Sequence, residues 1–157
     1  MSDIRYVSMN EAADASALLA RVVTNALVYN EIARADQLQK YTPAYMEKII
    51  KDDPMSVAGS YQDGRLVGIV VTASQTGPIW IDWICIDESV RGQHIGENLI
   101  AFCLAEAPKR GSNKYWCDTR TENQPAISLF TKMGFQRKCE LKSHWYGQDF
   151  YIWERFI

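Results

Sequence analysis

The chain has 157 residues and is predicted to form a single α/β domain over residues 1–157, built on a mixed sheet. Three observations carry that prediction. Apolar, β-branched runs alternate along the chain with runs whose apolar residues recur at helical spacing. An early pair of strand-like runs is joined through Asp63-Gly64, a dipeptide suited to a hairpin turn with positive φ, so the sheet begins antiparallel. Further on, Ile79–Ile86 is followed by a turn, an apolar helix and a new strand, a crossover that makes the two strands parallel.

Taken in order, Ile4-Arg5-Tyr6-Val7-Ser8 alternates and reads as a first strand. Asn10 can cap a helix from about Glu11 to Val28, with Ala15, Leu18, Leu19, Val22 and Ala26 as its buried stripe. Tyr29-Asn30-Glu31 breaks that pattern, and the polar stretch up to Lys40 shows only weak helical periodicity. Thr42-Pro43 opens another helix, with the cap followed by proline at the first position, and Asp52-Asp53-Pro54 ends it. Ser56–Tyr61 and Leu66–Ser74 are the hairpin strands, and Gly68 inside the second marks a bulge.

Ile79–Ile86 is apolar enough to be a central strand buried on both faces. One acid interrupts it: Asp82. It is expected to share a face with Trp80, Ile84 and Ile86. After Arg91-Gly92-Gln93-His94-Ile95-Gly96, the residues Ile95, Leu99, Phe102 and Cys103 form one face of a helix closed by Pro108. Lys114–Thr119 is the crossover strand, Asn123–Met133 a helix stopped by Gly134, and Gln136–Tyr146 with Phe150–Phe156 a last hairpin.

Composition excludes several functions. A net charge of −2 argues against a general nucleic-acid or anionic-membrane binder. No apolar run reaches the roughly 20 residues of a membrane span, and the N-terminal residues lack a signal-peptide core, so a cytoplasmic protein is expected. Cys85, Cys103, Cys117 and Cys139 have no metal-ligand or redox spacing and read as buried free thiols, and no metal site is expected. Cys85 as a nucleophile would need a histidine, and only His94 and His144 exist.

The turn at residues 91–96 feeds a helix N-terminus, where unpaired N–H groups and the positive end of the helix dipole attract phosphate, and Arg91 adds charge. It matches neither a P-loop nor the three-glycine dinucleotide motif. Arg91-x-x-His94-x-Gly96 instead resembles the acetyl-CoA signature of the GCN5-related N-acetyltransferases (GNAT), with His94 where that family usually has its first glycine. Asn123-x-x-Ala126-x-x-Leu129-Phe130-x-x-x-Gly134-Phe135 is similar to a second motif of the family. The element order β-α-α-β-β-β-α-β-α-β-β matches its fold across almost the whole chain.

The resemblance implies acetyl-CoA as co-substrate and a primary amine, on a small molecule or a peptide, as acceptor. It implies that the strand around Ile84, Cys85 and Ile86 splays from Lys114–Thr119 so that the pantetheine arm pairs with its edge. The pyrophosphate would rest on Gly92, Gln93, His94, Ile95 and Gly96 near Arg91, with Asn123 and Phe130 on the other side of the gap. Phe130 stands where many members have the tyrosine thought to protonate the CoA thiolate, and Tyr146 or water are the groups to replace it. Asp82 is expected either as the base or as an anchor for the substrate ammonium, with a solvated strand edge as the third alternative. Tyr29, Glu31, Trp80 and Trp145 are expected to line the acceptor pocket, and a homodimer is common in the family. A non-catalytic acyl-CoA-binding module on the same fold, and a protein-interaction domain that binds no CoA, are the rival readings.

Overall fold

The computed structural model describes residues 3–157; residues 1 and 2 of the expected domain lie outside it. Twelve elements follow one another: β1 (Asp3–Tyr6), α1 (Ala12–Asn25), α2 (Glu31–Lys40), α3 (Pro43–Asp52), β2 (Val57–Gln62), β3 (Arg65–Ser74), β4 (Ile79–Ile86), α4 (Ile95–Glu106), β5 (Lys114–Arg120), α5 (Gln124–Lys132), β6 (Gln136–Leu141) and β7 (Phe150–Phe156). The sheet has seven strands in the order β1-β2-β3-β4-β5-β7-β6. All neighbours pair antiparallel except β4 and β5, which are parallel. The mixed sheet and its crossover are thus as the sequence predicts.

One helix more stands between β1 and β2 than the sequence suggests. The stretch with weak periodicity is α2, which buries only Ala33. A polar helix of this kind gives little hydrophobic signal, but its ends are well specified. The Asn30 side chain accepts from the Ala33 N–H at 2.9 Å, and Lys40 lies in the last turn, where a cation favours the helix dipole. α1 stops at Asn25, shorter than expected, and β6 stops at Leu141 because residues 142–149 form a loop with a short 3-10 turn. Cys139, on that edge strand, is exposed, whereas the other three thiols are buried as expected.

Two cores flank the sheet. On one face α1 and α3 cover Val57, Ile69, Val71 and Cys85. On the other α4 and α5 cover Val67, Val70, Ile79, Ile81, Tyr115 and Cys117. The alternation along β4 is reset in its middle. Val71 pairs with Trp83 and Thr72 with Ile81, so Asp82 is an extra residue in the ladder. A bulge of this kind re-aims side chains. Ile79, Ile81, Ile84 and Ile86 therefore all face α4, while Trp83 and Cys85 face α1. This corrects the expected grouping, because Asp82 points toward Tyr41 and α2, away from Ile84 and Ile86.

Gly68 lies beside the register slip between β2 and β3, directly under α4. A Cβ there would meet Ile86 Cδ1 and Ile95 Cγ2 at 3.0 Å and Leu99 Cδ1 at 3.1 Å. The absent side chain lets α4 approach the sheet. Gly68→Val is expected to overpack this contact and lower unfolding stability by about 1–3 kcal/mol, read from the urea midpoint.

Candidate active site

The ladder between β4 and β5 holds for three pairs only, Ile79 with Tyr115, Trp80 with Trp116 and Ile81 with Cys117. Beyond them β4 stays with β3 as far as Ile86, and β5 stays with β7 as far as Arg120. The strands part, and residues 82–86 of β4 present an edge with no ladder partner on the β5 side. Unpaired strand edges invite a further extended chain. A cavity of about 560 Å³ opens at this fork, bounded by the end of α1, the starts of α4 and α5, and the separated strands.

One end of the cavity is the turn before α4. Asp87 anchors it: its carboxylate accepts from the Ser89 N–H at 3.0 Å, and these bonds with Ser89 hold its pKa down to about 2. Gly92 has φ 78° and His94 φ 60°, so His94 caps α4 in the left-handed conformation that usually calls for glycine. That backbone requirement explains why a glycine suits the position. The His94 side chain turns outward to Glu97, 2.9 Å away, and makes no capping bond. The first helical bond runs from the Asn98 N–H to the His94 carbonyl. Among the described residues, the N–H groups of Ile95, Gly96 and Glu97 carry no bond within the protein, which leaves them to a ligand.

The other end holds two carboxylates. Because Ile81 pairs with Cys117, Asp82 and Asp118 are the next residue on each parting strand, and both line the cavity. Asp82 has a cation beside it, with Lys40 Nζ at 3.3 Å, and it also accepts from the Tyr41 hydroxyl. Burial raises its pKa while Lys40 opposes the rise. Among the described residues Asp118 has no cation beside it, only the Trp80 indole N–H at 3.3 Å. Burial pushes its pKa up to about 7; the Trp80 bond lowers it and the charge of Asp82 raises it. The two acids thus differ in how firmly each holds a proton near neutrality, which is the pattern by which one fold divides acid and base roles.

Of the residues expected at the site, Tyr29, Asp82, Ile84, Ile86, Arg91, Gly92, His94, Ile95, Gly96, Asn123 and Phe130 all line the cavity. Asn123 caps α5 through the Ala126 N–H at 3.3 Å. Phe130 is buried edge-to-face against Phe135, so no hydroxyl stands at its position. Trp80 sits just outside the cavity, stacked on Trp116 with ring centroids 5.5 Å apart, and acts on the site through Asp118.

Five of the expected residues send their side chains elsewhere. The Cys85 side chain is fully buried against α1 because the bulge turns it away from the cavity, while its backbone stays on the open edge of β4. Gln93 reaches out to Gln62 at 3.1 Å. Glu31 is an exposed residue in the first turn of α2 and does not reach the cavity. Trp145 packs on His144 and Phe150 instead of lining the acceptor side. The Tyr146 hydroxyl is 2.5 Å from Asp36 and accepts from Gln37 at 2.9 Å, and burial raises its pKa. Gln37 in turn accepts from the Trp83 indole at 2.9 Å. Tyr146 therefore ties the last loop to α2 and, through Gln37, to β4.

Three residues were not visible as site residues in the sequence: Lys40, Tyr41 and Asp118. Asp118 gives the same signal as Asp82, a lone acid in an apolar strand core, and the signal becomes specific only when the register puts the two side by side.

The model of the Acetyltransferase (GNAT) family matches residues 25–135. The chain belongs to this family. N-alpha-acetyltransferase 30 of Dictyostelium discoideum is 29% identical over 82 residues, a match that takes in 50% of this chain and 44% of that protein, so the chain matches less than half the length of this curated relative. Among solved structures, a GNAT acetyltransferase from Streptococcus pneumoniae superposes with a TM-score of 0.84 at 19% identity, covering 100% of this chain and 99% of that one. The PaiA N-acetyltransferase of Thermoplasma acidophilum, solved in complex with coenzyme A, does so with a TM-score of 0.83 at 16% identity, covering 100% and 99%. These structures share the GNAT fold with this chain.

Two stability predictions follow from the geometry. His94→Gly is expected to gain up to about 1 kcal/mol by relieving the left-handed backbone, since the exposed pair with Glu97 is worth little. Asp118 binds its proton more tightly in the folded chain than in the unfolded one, so it favours folding most at low pH. That contribution is lost as pH rises from the ordinary carboxylate range through about 7. Asp118→Asn should therefore match the wild type in stability below pH 4 and exceed it at pH 8, by on the order of a few kcal/mol, in denaturation curves at the two pH values.

Proposed function

We propose that the chain is an acetyl-CoA-dependent N-acetyltransferase that acetylates a primary amine of a small molecule or peptide. The observation that carries this reading is the parted strand pair, with free helix N–H groups at one end of the cavity and two unlike carboxylates at the other. Family membership and the coenzyme A bound in a structural neighbour support it. The name of the Dictyostelium relative favours a peptide amine.

Acetyl-CoA supplies the activated acyl group as a thioester. The N–H groups between Gly92 and Glu97, with Arg91, suit its pyrophosphate. The unpartnered edge at residues 82–86 suits the amides of its pantetheine arm, and backbone N–H groups of the same edge suit the carbonyl oxygen where charge develops. The amine approaches from the α2 side. Asp82, kept beside a cation, attracts and orients the ammonium. Asp118 accepts its proton, because a carboxylate desolvated to about 7 is matched to proton transfer near neutrality. Phe130 offers no acid, and a thiol with an ordinary pKa of about 8.5 leaves as the thiolate.

Phe130 and His94 also motivate the second reading, an acyl-CoA-binding module without turnover. Calorimetry with acetyl-CoA and a thiol-release assay over an amine panel that includes peptide N-termini and lysines separates the two: binding without turnover on any amine favours the module. For the enzyme, Asp118→Asn should lower kcat by about 10²–10⁴-fold and abolish the inflection near pH 7 in the rate profile, with acetyl-CoA affinity nearly unchanged. Asp82→Asn should mainly raise KM for the amine. Gly96→Val, whose first side-chain carbon would already sit 3.4 Å from Leu129 Cδ2, should weaken acetyl-CoA binding more than His94→Gly does. The reverse ranking would show that the His94 side chain makes the phosphate contact.

A further inference from the structure

Lys40, the last residue of α2, holds its ammonium in a setting unlike that of the other surface lysines. Nζ lies 3.3 Å from Asp82 Oδ2, and 4.7, 5.7 and 5.9 Å from the ring centroids of Tyr41, Tyr45 and Trp80. Three aromatic rings and a carboxylate around one ammonium are the chemistry of amine recognition. Here the occupant belongs to the chain itself. The carboxylate it pairs with lines the cavity at the strand fork. The third ring, Trp80, donates its indole N–H to Asp118. The amine is thus paired with one acid and beside the ring that binds the other, next to the point where β4 leaves β5, and 36% of its side chain remains exposed.

We propose that Lys40 is a tethered acceptor, acetylated on Nζ by its own chain. The proposal rests on the acetyl-CoA function argued above. Asp82, the carboxylate 3.3 Å from Nζ, takes one proton from the Lys40 ammonium. The freed lone pair forms a bond from nitrogen to the thioester carbonyl carbon as the carbon–sulfur bond breaks. The second nitrogen-bound proton ends on the CoA sulfur, giving the free thiol, and Asp82 returns its proton to solvent. Tethering replaces a bimolecular encounter with an internal one, which offsets the small fraction of lysine that is unprotonated. The event is self-limiting, because the product is a neutral amide. It also takes the cation away from Asp82, so the modification alters the site that performs it.

The test is to incubate the full chain with acetyl-CoA carrying a labelled acetyl group and to map labelled lysines by peptide mass spectrometry over time. Lys48 and Lys109 serve as internal controls, since each pairs with a carboxylate, at 2.6 and 2.7 Å, yet lies on an open surface. Lys40 should be labelled at least roughly tenfold faster than either. Its rate should be first order and independent of protein concentration. Asp82→Asn should slow it by about 10²–10⁴-fold. Lys40→Arg, which keeps a cation beside Asp82, should lose the fast site and leave Lys48 and Lys109 at their slow rates. Labelling of Lys40 no faster than the controls, or at a rate that rises with protein concentration, in a chain that binds acetyl-CoA and acetylates an external amine, overturns this inference alone. A chain that binds no acetyl-CoA in calorimetry overturns the function proposed above, and this inference with it.

Discussion

The parting of β4 from β5 is the constraint on which the rest of the structure depends. β5 pairs with β7 along its whole length and β4 with β3 at every residue but the bulged Asp82, whereas β4 and β5 pair with each other for three residues only. The sheet is thus two halves joined by a short parallel seam. A sheet that continued its ladder would close the cavity and bury Asp82 and Asp118 between paired strands. A sheet that broke entirely would lose the shared core of Ile79, Ile81, Tyr115 and Cys117 beneath α4 and α5. The seam is long enough to hold the halves together and short enough to leave an open edge. Buried backbone groups need partners, so an unpartnered edge beside a cavity points to a ligand with amides of its own.

The bulge at Asp82 adds a second consequence. An extra residue in the ladder moves the acid from the face of Ile84 and Ile86 to the face of α2 and lets Trp83 and Cys85 face α1. Asp82 thereby meets Lys40 and Tyr41, while Asp118 one strand away meets only an indole N–H. Two acids of the same type acquire different proton affinities from their neighbours alone. The acceptor side is braced from outside by α2, whose Gln37 links Trp83 of β4 to Tyr146 of the last loop. A helix with almost no buried side chains is held there by polar contacts.

Much of this was legible in the sequence. Apolar periodicity located eleven of the twelve elements, Asp63-Gly64 marked the hairpin turn, and the run from Arg91 to Gly96 marked a helix start able to bind an anion. These features are local: each depends on residues within a few positions of one another, and side-chain period, turn chemistry and capping act over that range. The helix α2 escaped because a polar helix has no apolar stripe to read.

What the tertiary structure decided is everything that depends on register and on distant partners. The sequence contains Asp82 and Asp118 as lone acids in apolar strands, but only the Ile81–Cys117 pairing brings them to one level. Only the bulge decides which face Asp82 takes. Lys40 and Tyr41 are separated from Asp82 by more than forty positions of chain and join it through the packing of α2 on the sheet. Conversely, packing leaves Glu31 on the open surface of α2 and sets Trp145 against His144 and Phe150, neither of which their side-chain chemistry foretells. Side-chain type is fixed by the chain, whereas proximity and desolvation, which set a carboxylate's proton affinity, arise only when separate elements pack together.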